Sequence, residues 1–271
     1  MPRPGAISLS GPRKIQAVDR LNALHINVPG LETRIVERCT STNELLLSEK
    51  YARPLLLAAE EQTAGRGRRD RRWRSAPGAG ATFSILRRMR CAPQMLCGLS
   101  LAVGVAAARA LHALGACEVA LKWPNDLLVR DSKLGGVLIE TRLHAGEIIA
   151  VVGIGINCRP MGELETRLRR KLIALDDLVQ PPLSRNAVIA AVAREVLAAL
   201  EAFERSGLPA FAADWLALDA HQGRRLRVRL DDGHTVSGVA SGLAPNGALR
   251  LTTRTGMRDV LNGRIVSASA A

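Results

Sequence analysis

Apolar positions recur along this chain with two periods, and the elements follow from them. "TRIVER" (Thr33–Arg38) alternates and predicts a strand. "STNELLLSEK" follows as a helix, with Ser41 or Thr42 at its N-cap and Glu44 in the capping-box position. "PLLLAAEEQ" is a continuous apolar strand ending in polar residues, and "ATFSILRRM" is the next strand. "GLSLAVGVAAARALHALG" predicts a long helix with Leu99, Val103 and Leu111 toward one side and Gly115 closing it. "EVALKWPNDLLV", "KLGGVLIETRL" and "IIAVVGIGINC" are three further β-rich segments separated by Gly/Asp-bearing turns. In "SRNAVIAAVAREVLAALEAFERSG", Ile189, Val192, Val196, Leu200 and Phe203 recur every three or four residues, a second long helix ended by Gly207. "PAFAADWLAL" adds a shorter one. After His221 short alternating strands are joined by Asp-Gly and Asn-Gly turns, which reads as a small β-barrel module. The order of elements predicts an α+β fold: a mixed-sheet domain followed by a small all-β domain.

Residues 1–34, punctuated by Pro2, Pro4, Pro12 and Pro29, leave room for one short helix around Lys14–Leu24 in a partly flexible lead-in. The predicted division is therefore 1–34, 35–219 and 220–271. The chain has 271 residues and is 47% hydrophobic, enough for one large core or a main domain with a satellite. The apolar run Leu99–Ala108 is too short to span a bilayer and ends at Arg109, so no membrane is expected. The start lacks the apolar core of a secretory signal. Five scattered cysteines without a C-x-x-C pair predict reduced thiols and a cytoplasmic protein.

The net charge is +13, and outside the loop Gly65–Arg74, itself +5, the chain keeps +8. A basic chain attracts polyanions in general. Aromatic residues make up only 3%, too few for stacking platforms, and there is no room for a helix-turn-helix, so no specific nucleic-acid partner is expected.

Four stretches carry candidate chemistry. "GRGRRDRRW" (Gly65–Trp73) sets forked guanidinium donors, suited to phosphate or carboxylate, on a backbone that Gly65 and Gly67 free for positive φ. It follows a buried strand end, where ligands bind in open α/β sheets. A solvated charge run fits the same residues. In "LKWPNDLLV", Lys122 is a strand lysine among apolar neighbours, which calls for an anion or for snorkelling at an edge. In "VVGIGINC", Gly153 and Gly155 mark close approach by a flat ring such as a purine, with Asn157 to read its edge. Neither a dinucleotide fingerprint nor a P-loop is present. "STN" (Ser41–Asn43) serves equally as a helix cap or as a set of donors and acceptors for a polar ligand.

Taken together and in this order, "STN", "AEEQTAGRGRRDRRW", "LKWPNDLLV…SKLGGVLIE", "VVGIGIN" and the C-terminal "GL…GALRL" and "NGRIVS" resemble the biotin protein ligases, over roughly Val36 to Ser267. The resemblance implies a catalytic domain of the biotin/lipoate ligase type with a small C-terminal SH3-like β-barrel. It implies activation of biotin with ATP to biotinyl-5′-AMP and transfer to one lysine of a biotin carboxyl carrier domain, of acetyl-CoA carboxylase or a related carboxylase. Carried over onto this chain, Lys122 and Arg66 are the catalytic residues, and Lys122 bridges the biotin carboxylate and the α-phosphate. Ser41, Thr42, Asn43, Gln62, Arg66, Gly67, Arg68, Lys122 and Gly136 form the biotin site; Arg66, Arg68, Arg69, Trp73, Lys122 and Asn157 form the adenylate site. Mg²⁺ accompanies ATP, its protein ligands unspecified. Asp70 stands where the family usually has glycine, and Asp70→Gly is expected to slow release of biotinyl-AMP; Thr40 replaces a common acidic residue. With about forty residues before "STN", the chain resembles the class without a DNA-binding domain, a monomer or homodimer. A lipoate or octanoate ligase is the related alternative, and a basic nucleic-acid-binding regulator the alternative of another class.

Overall fold

The computed structural model describes residues 19–48, 53–69, 71–162, 164, 166 and 171–270. Seven strands form the main sheet: β1 (Glu32–Cys39), β2 (Leu55–Gln62), β3 (Gly80–Met89), β4 (Val119–Lys122), β5 (Asp126–Val129), β6 (Ser132–His144) and β7 (Glu147–Asn157). Their spatial order is β1-β2-β3-β7-β6-β5-β4. β1 and β2 run parallel, and the remaining neighbours are antiparallel, so the sheet is mixed. Helix α1 (Thr42–Ser48) makes the crossover from β1 toward β2.

The continuous apolar run of β2 has a packing cause. Leu56 and Ala58 face the main core under α2 (Leu99–Ala113) and α3 (Arg185–Ser206), while Leu55 and Leu57 face a smaller cluster with Leu46, Leu86, Ile149 and Val151. A strand covered on both faces has no solvent side to keep polar. Helix α2 is buried over most of its length, and its alanines admit the sheet and α3 closely. Gly115 ends it at φ 96°, where Ala116 N donates to Leu111 O at 2.9 Å. Among the described residues no helix is long and apolar enough to cross a membrane.

The helix expected around Lys14–Leu24 does not form over residues 20–24, which run as bends and turns; residues 14–18 lie outside the described residues. Long-range partners hold this segment. The Asp19 carboxylate meets Arg159 and Arg185, Leu21 N donates to Glu60, and Leu21, Ile26 and Val28 are buried in the main core. The described part of the lead-in is thus packed against the main domain.

Helix α4 (Ala212–Leu218) leads to the second sheet. Its strands are β8 (Arg225–Arg229), β9 (Thr235–Leu243), β10 (Leu249–Thr253), β11 (Gly256–Val260) and β12 (Arg264–Ser269), all antiparallel, in the order β11-β10-β9-β8-β12. The expected Asp-Gly and Asn-Gly turns are present, with Gly233 and Gly247 at φ 88° and 81°. This sheet touches the first where Trp123 Nε1 donates to Gly247 O at 3.0 Å and Arg69 pairs with Asp231 at 2.5 Å.

Candidate functional site

A cavity of about 130 Å³ opens over β3, β7 and β6, roofed by the arginine loop. The loop is a tight hairpin. Arg66 and Arg72 are bridged, Gly67 N donates to Arg71 O at 2.7 Å, and Trp73 N donates to Gly65 O at 2.9 Å. The glycines act here through space rather than through φ. Positive φ falls on Arg69, at 57°, whereas a Cβ at Gly65 would meet Gln62 Nε2 and Trp73 O at 2.7 Å, and one at Gly67 would come within 3.1 Å of Arg71 O. Asp70 lies outside the described residues.

One wall of the cavity is cationic: Arg66, Arg68, Arg71, Arg72, Arg74 and Lys133 line it, against Asp126 as the lining carboxylate. Lys133 pairs with Asp126, and its Nζ lies 5.5 Å from the centre of the Trp73 ring. The charge of Arg68 is disfavoured, first by burial and then by Arg69 and Arg71. An anion entering the cavity relieves that repulsion. Arg66 is held at the rim by Glu140 at 2.8 Å.

The uncharged side chains of the lining are hydrogen-bonded, and through Glu140 they adjoin Arg66. Gln62 Oε1 accepts from Thr42 N at 2.7 Å and Thr42 Oγ1 at 3.1 Å. Ser84 Oγ lies 2.6 Å from Thr42 Oγ1 and donates to Asn43 Oδ1 at 2.6 Å, and Asn43 Nδ2 donates to Glu140 Oε2 at 2.9 Å. The first turn of α1 sets these groups, with Ser41 Oγ only 3.5 Å from Glu44 N, a loose cap. Two buried polar atoms of lining residues, Thr82 Oγ1 and Trp73 Nε1, have no hydrogen-bond partner.

Gly153 and Gly155 of β7 provide the flat surface that their sequence predicts. A Cβ at Gly155 would overlap the Trp73 indole, and one at Gly153 would overlap the Asn43 amide. The ring lying on Gly155 is thus Trp73 itself. Asn157 lines the cavity, with Nδ2 donating to Lys133 O and Ile173 O, both at 3.1 Å, and so braces the strand that carries Lys133.

Ser41, Thr42, Asn43, Gln62, Arg66, Gly67, Arg68, Trp73, Gly136 and Asn157 are all brought to this cavity. Arg69 points past it to Asp231. Lys122 is not among the residues that line this cavity: it lines a neighbouring narrow cleft with Ser100, Gly104, Pro124 and Trp215, which meets the cavity at Asn125 and Asp126. The reason is strand order, because β4 is the sheet's edge and β5 and β6 stand between it and β7. Lys133, at the start of β6, takes the inward place. Sequence reasoning missed it, along with Thr82, Ser84, Asp126 and Glu140. The signal for Lys133 was the glycine pair after it: a Cβ at Gly136 would come within 3.2 Å of Lys133 Nζ. Among the described residues no group of three or more His, Cys, Asp or Glu side chains is arranged to hold a metal.

The model of the biotin/lipoate A/B protein ligase family matches residues 34–157. The bifunctional ligase/repressor BirA of Escherichia coli (strain K12) is 34% identical over 260 residues, covering 94% of this chain and 80% of that protein. The biotin–[acetyl-CoA-carboxylase] ligase of Mycobacterium tuberculosis is 34% identical over 225 residues, with 80% and 82% covered. Among solved structures, the biotin protein ligase of Aquifex aeolicus in complex with biotin and ATP superposes with a TM-score of 0.73 at 24% identity, covering 88% of this chain and 99% of that one, a likeness of fold.

Proposed function

This chain belongs to the biotin protein ligases of the biotin/lipoate A/B protein ligase family, and from that premise we propose that it activates biotin with ATP as biotinyl-5′-AMP and passes the biotinyl group to one lysine of a biotin carboxyl carrier domain. The observation that carries the reading is that one cavity gathers a cationic set, Lys133 with the arginine loop, and an uncharged hydrogen-bonding set, Ser41, Thr42, Asn43 and Gln62. A neutral polar ring system fits the second set and a carboxylate next to phosphates fits the first.

In the first step a biotin carboxylate oxygen attacks the α-phosphorus of ATP, and the bond to pyrophosphate breaks. Two anions must be brought together, which costs heavily without fixed cations at the meeting point. Lys133 takes the bridging role that the resemblance assigned to Lys122, because Lys133 is the lysine lining the cavity. Arg66 and Arg68 neutralise phosphate oxygens. Ser41, Thr42, Asn43 and Gln62 hold the ureido end of biotin, while Gly67 and Gly136 give the ligand close access to backbone. Trp73 covers the adenylate, and the closed loop keeps water from a hydrolysable anhydride. Asn157 faces adenine with its Oδ1, since its Nδ2 is already engaged. In the second step a carrier lysine amine attacks the acyl carbon and AMP leaves, so no protein nucleophile is needed. Mg²⁺ bound with ATP would supply further neutralisation of phosphate charge; it would be held mainly by phosphate oxygens, with Asp126 as the lining carboxylate to hold it. The free cysteines fit a reducing compartment, the cytoplasm.

The test is incubation of the protein with biotin, ATP, Mg²⁺ and a carrier domain. Pyrophosphate release and biotin on the carrier lysine are expected. A carrier left unlabelled at saturating Mg²⁺ contradicts the reading.

A further inference from the structure

Residues 220–271 carry eight arginines against three aspartates, and the excess is not scattered. Along β8 the burial alternates, with Leu226 and Val228 inward and Arg225, Arg227 and Arg229 outward and exposed. The pairing registers extend this face across three strands. Arg229 lies between Arg264 on β12 and Thr235 on β9, Arg227 between Ser267 and Ser237, and Arg225 between Ser269 and Val239. Among the described residues none of these four arginines makes an ion pair. Like charges directly opposite, as Arg229 and Arg264 are, destabilise a sheet, and a surface kept only for solubility intersperses both signs. Protection of a sheet edge would explain Arg264 on β12, an edge strand, but not three arginines on the interior strand β8.

We propose that this arginine face docks the acidic surface of the acceptor protein, a partner presenting a row of carboxylates. The inference rests on the reading of the chain as a ligase that modifies a protein lysine. Outward residues of one strand are about 7 Å apart, so Arg225, Arg227 and Arg229 match carboxylates spaced along an exposed strand of the partner. Forked guanidiniums flanked by hydroxyls suit carboxylate pairing. The face offers no aromatic ring for stacking bases, which favours a protein over single-stranded nucleic acid. It also adjoins the cavity. The turn after β8 carries Asp231, which grips Arg69 of the loop at 2.5 Å, so a protein lying on β8 has its near edge at the loop that roofs the site.

The test compares wild type with the charge reversal Arg225→Glu/Arg227→Glu/Arg229→Glu and with the neutral Arg225→Gln/Arg227→Gln/Arg229→Gln, which guards against misfolding. Two rates are read: pyrophosphate release with biotin and ATP alone, and biotin transfer as the concentration of an acidic biotin carboxyl carrier domain is varied. The expected result is an unchanged first rate, a KM for the carrier raised at least tenfold by reversal and less by neutralisation, and a rise of wild-type KM with salt that the variants lose. An unchanged carrier KM with normal pyrophosphate release overturns the docking proposal alone. Absence of pyrophosphate release from wild type overturns the ligase reading beneath it. Loss of salt-dependent retention on nucleic acid with carrier KM unchanged assigns the face to nucleic acid and likewise overturns the proposal.

Discussion

Arg185 is fully buried, yet it meets Asp19 at 3.2 Å and Glu60 at 2.8 Å and donates to Asp19 O and Gly80 O. Arg159 beside it is shared between Asp19 and Asp176. Across the sheet, the loop from Arg66 to Arg74 crowds its guanidiniums until burial and neighbours disfavour the charge on Arg68. Its carboxylate contacts at Glu140 and Asp231 lie at the rim. The first cluster is charge-balanced from within and ties residues 19–22 to the core. The second is short of negative charge where the cavity lies. An arginine's role is therefore read from the carboxylates around it, and a local deficit marks the place for a ligand.

The largest effect that sharpens this contrast is on stability. Arg185→Ala leaves the buried Glu60 without its cation and Asp19 with Arg159 alone, and is expected to cost about 3–5 kcal/mol in denaturant unfolding. Arg68→Ala removes a disfavoured charge, so stability should stay within about 1 kcal/mol while biotin-dependent pyrophosphate release falls about 100-fold. Equal loss of stability in both variants breaks the comparison.

Next in size is Lys133→Ala, expected to lower adenylation by about 100–1000-fold, the effect of removing one charge-stabilising donor. Lys122→Ala, at the edge strand, should change it only a few-fold. Steady-state pyrophosphate release distinguishes them, and the reverse ranking contradicts the cavity assignment.

A third region lies between the extremes, where α4 meets β8. Asp219 is pushed up to about 6 by burial, which outweighs a hydrogen bond from His221 N, and His221 is pushed down to about 4 by burial and then by Lys122 and Arg224. Asp219 Oδ2 and His221 Nδ1 are both buried without hydrogen-bond partners. A raised carboxyl contributes stability at low pH that is lost as pH rises through about 6. A depressed imidazole contributes stability above about 6.5 that is lost as pH falls toward 4. Over pH 4–6.5 the two oppose, so this pair should leave wild-type stability nearly flat. In Asp219→Asn only the histidine contribution remains, and stability should fall by up to about 3 kcal/mol between pH 6.5 and 4. A flat profile in the variant removes His221 from the account.

Smallest is Asp231→Ala. The pair with Arg69 is largely exposed, and its loss should change unfolding free energy by about 0.5 kcal/mol. A loss of several kcal/mol would make the rim contact structural.

The strands and long helices were legible because each keeps one period and its turn chemistry: β2 as an unbroken apolar run, α3 as a stripe from Ile189 to Phe203, the second sheet through Gly233 and Gly247. Most of the cavity was legible too, since "STN", the arginine loop and Gly153/Gly155 each have a chemistry visible in a few residues. The choice between Lys122 and Lys133 was not. Both are lysines in β-rich apolar segments, and only the order of strands in the sheet puts one at the edge and the other beside β7. The use of Gly65 and Gly67 for space instead of φ depends on Trp73 and Arg71 folding back over them. The packing of residues 19–31 depends on partners about 40 and 166 residues away, Glu60 and Arg185, beyond the reach of any local pattern.

The central claim, that the arginine-rich cavity holds an acyl adenylate, is tested most directly by exchange of labelled pyrophosphate into ATP. The account predicts exchange that depends on biotin and is lost in Lys133→Ala but kept in Lys122→Ala. Exchange at the same rate without biotin, or none with it, would contradict the claim.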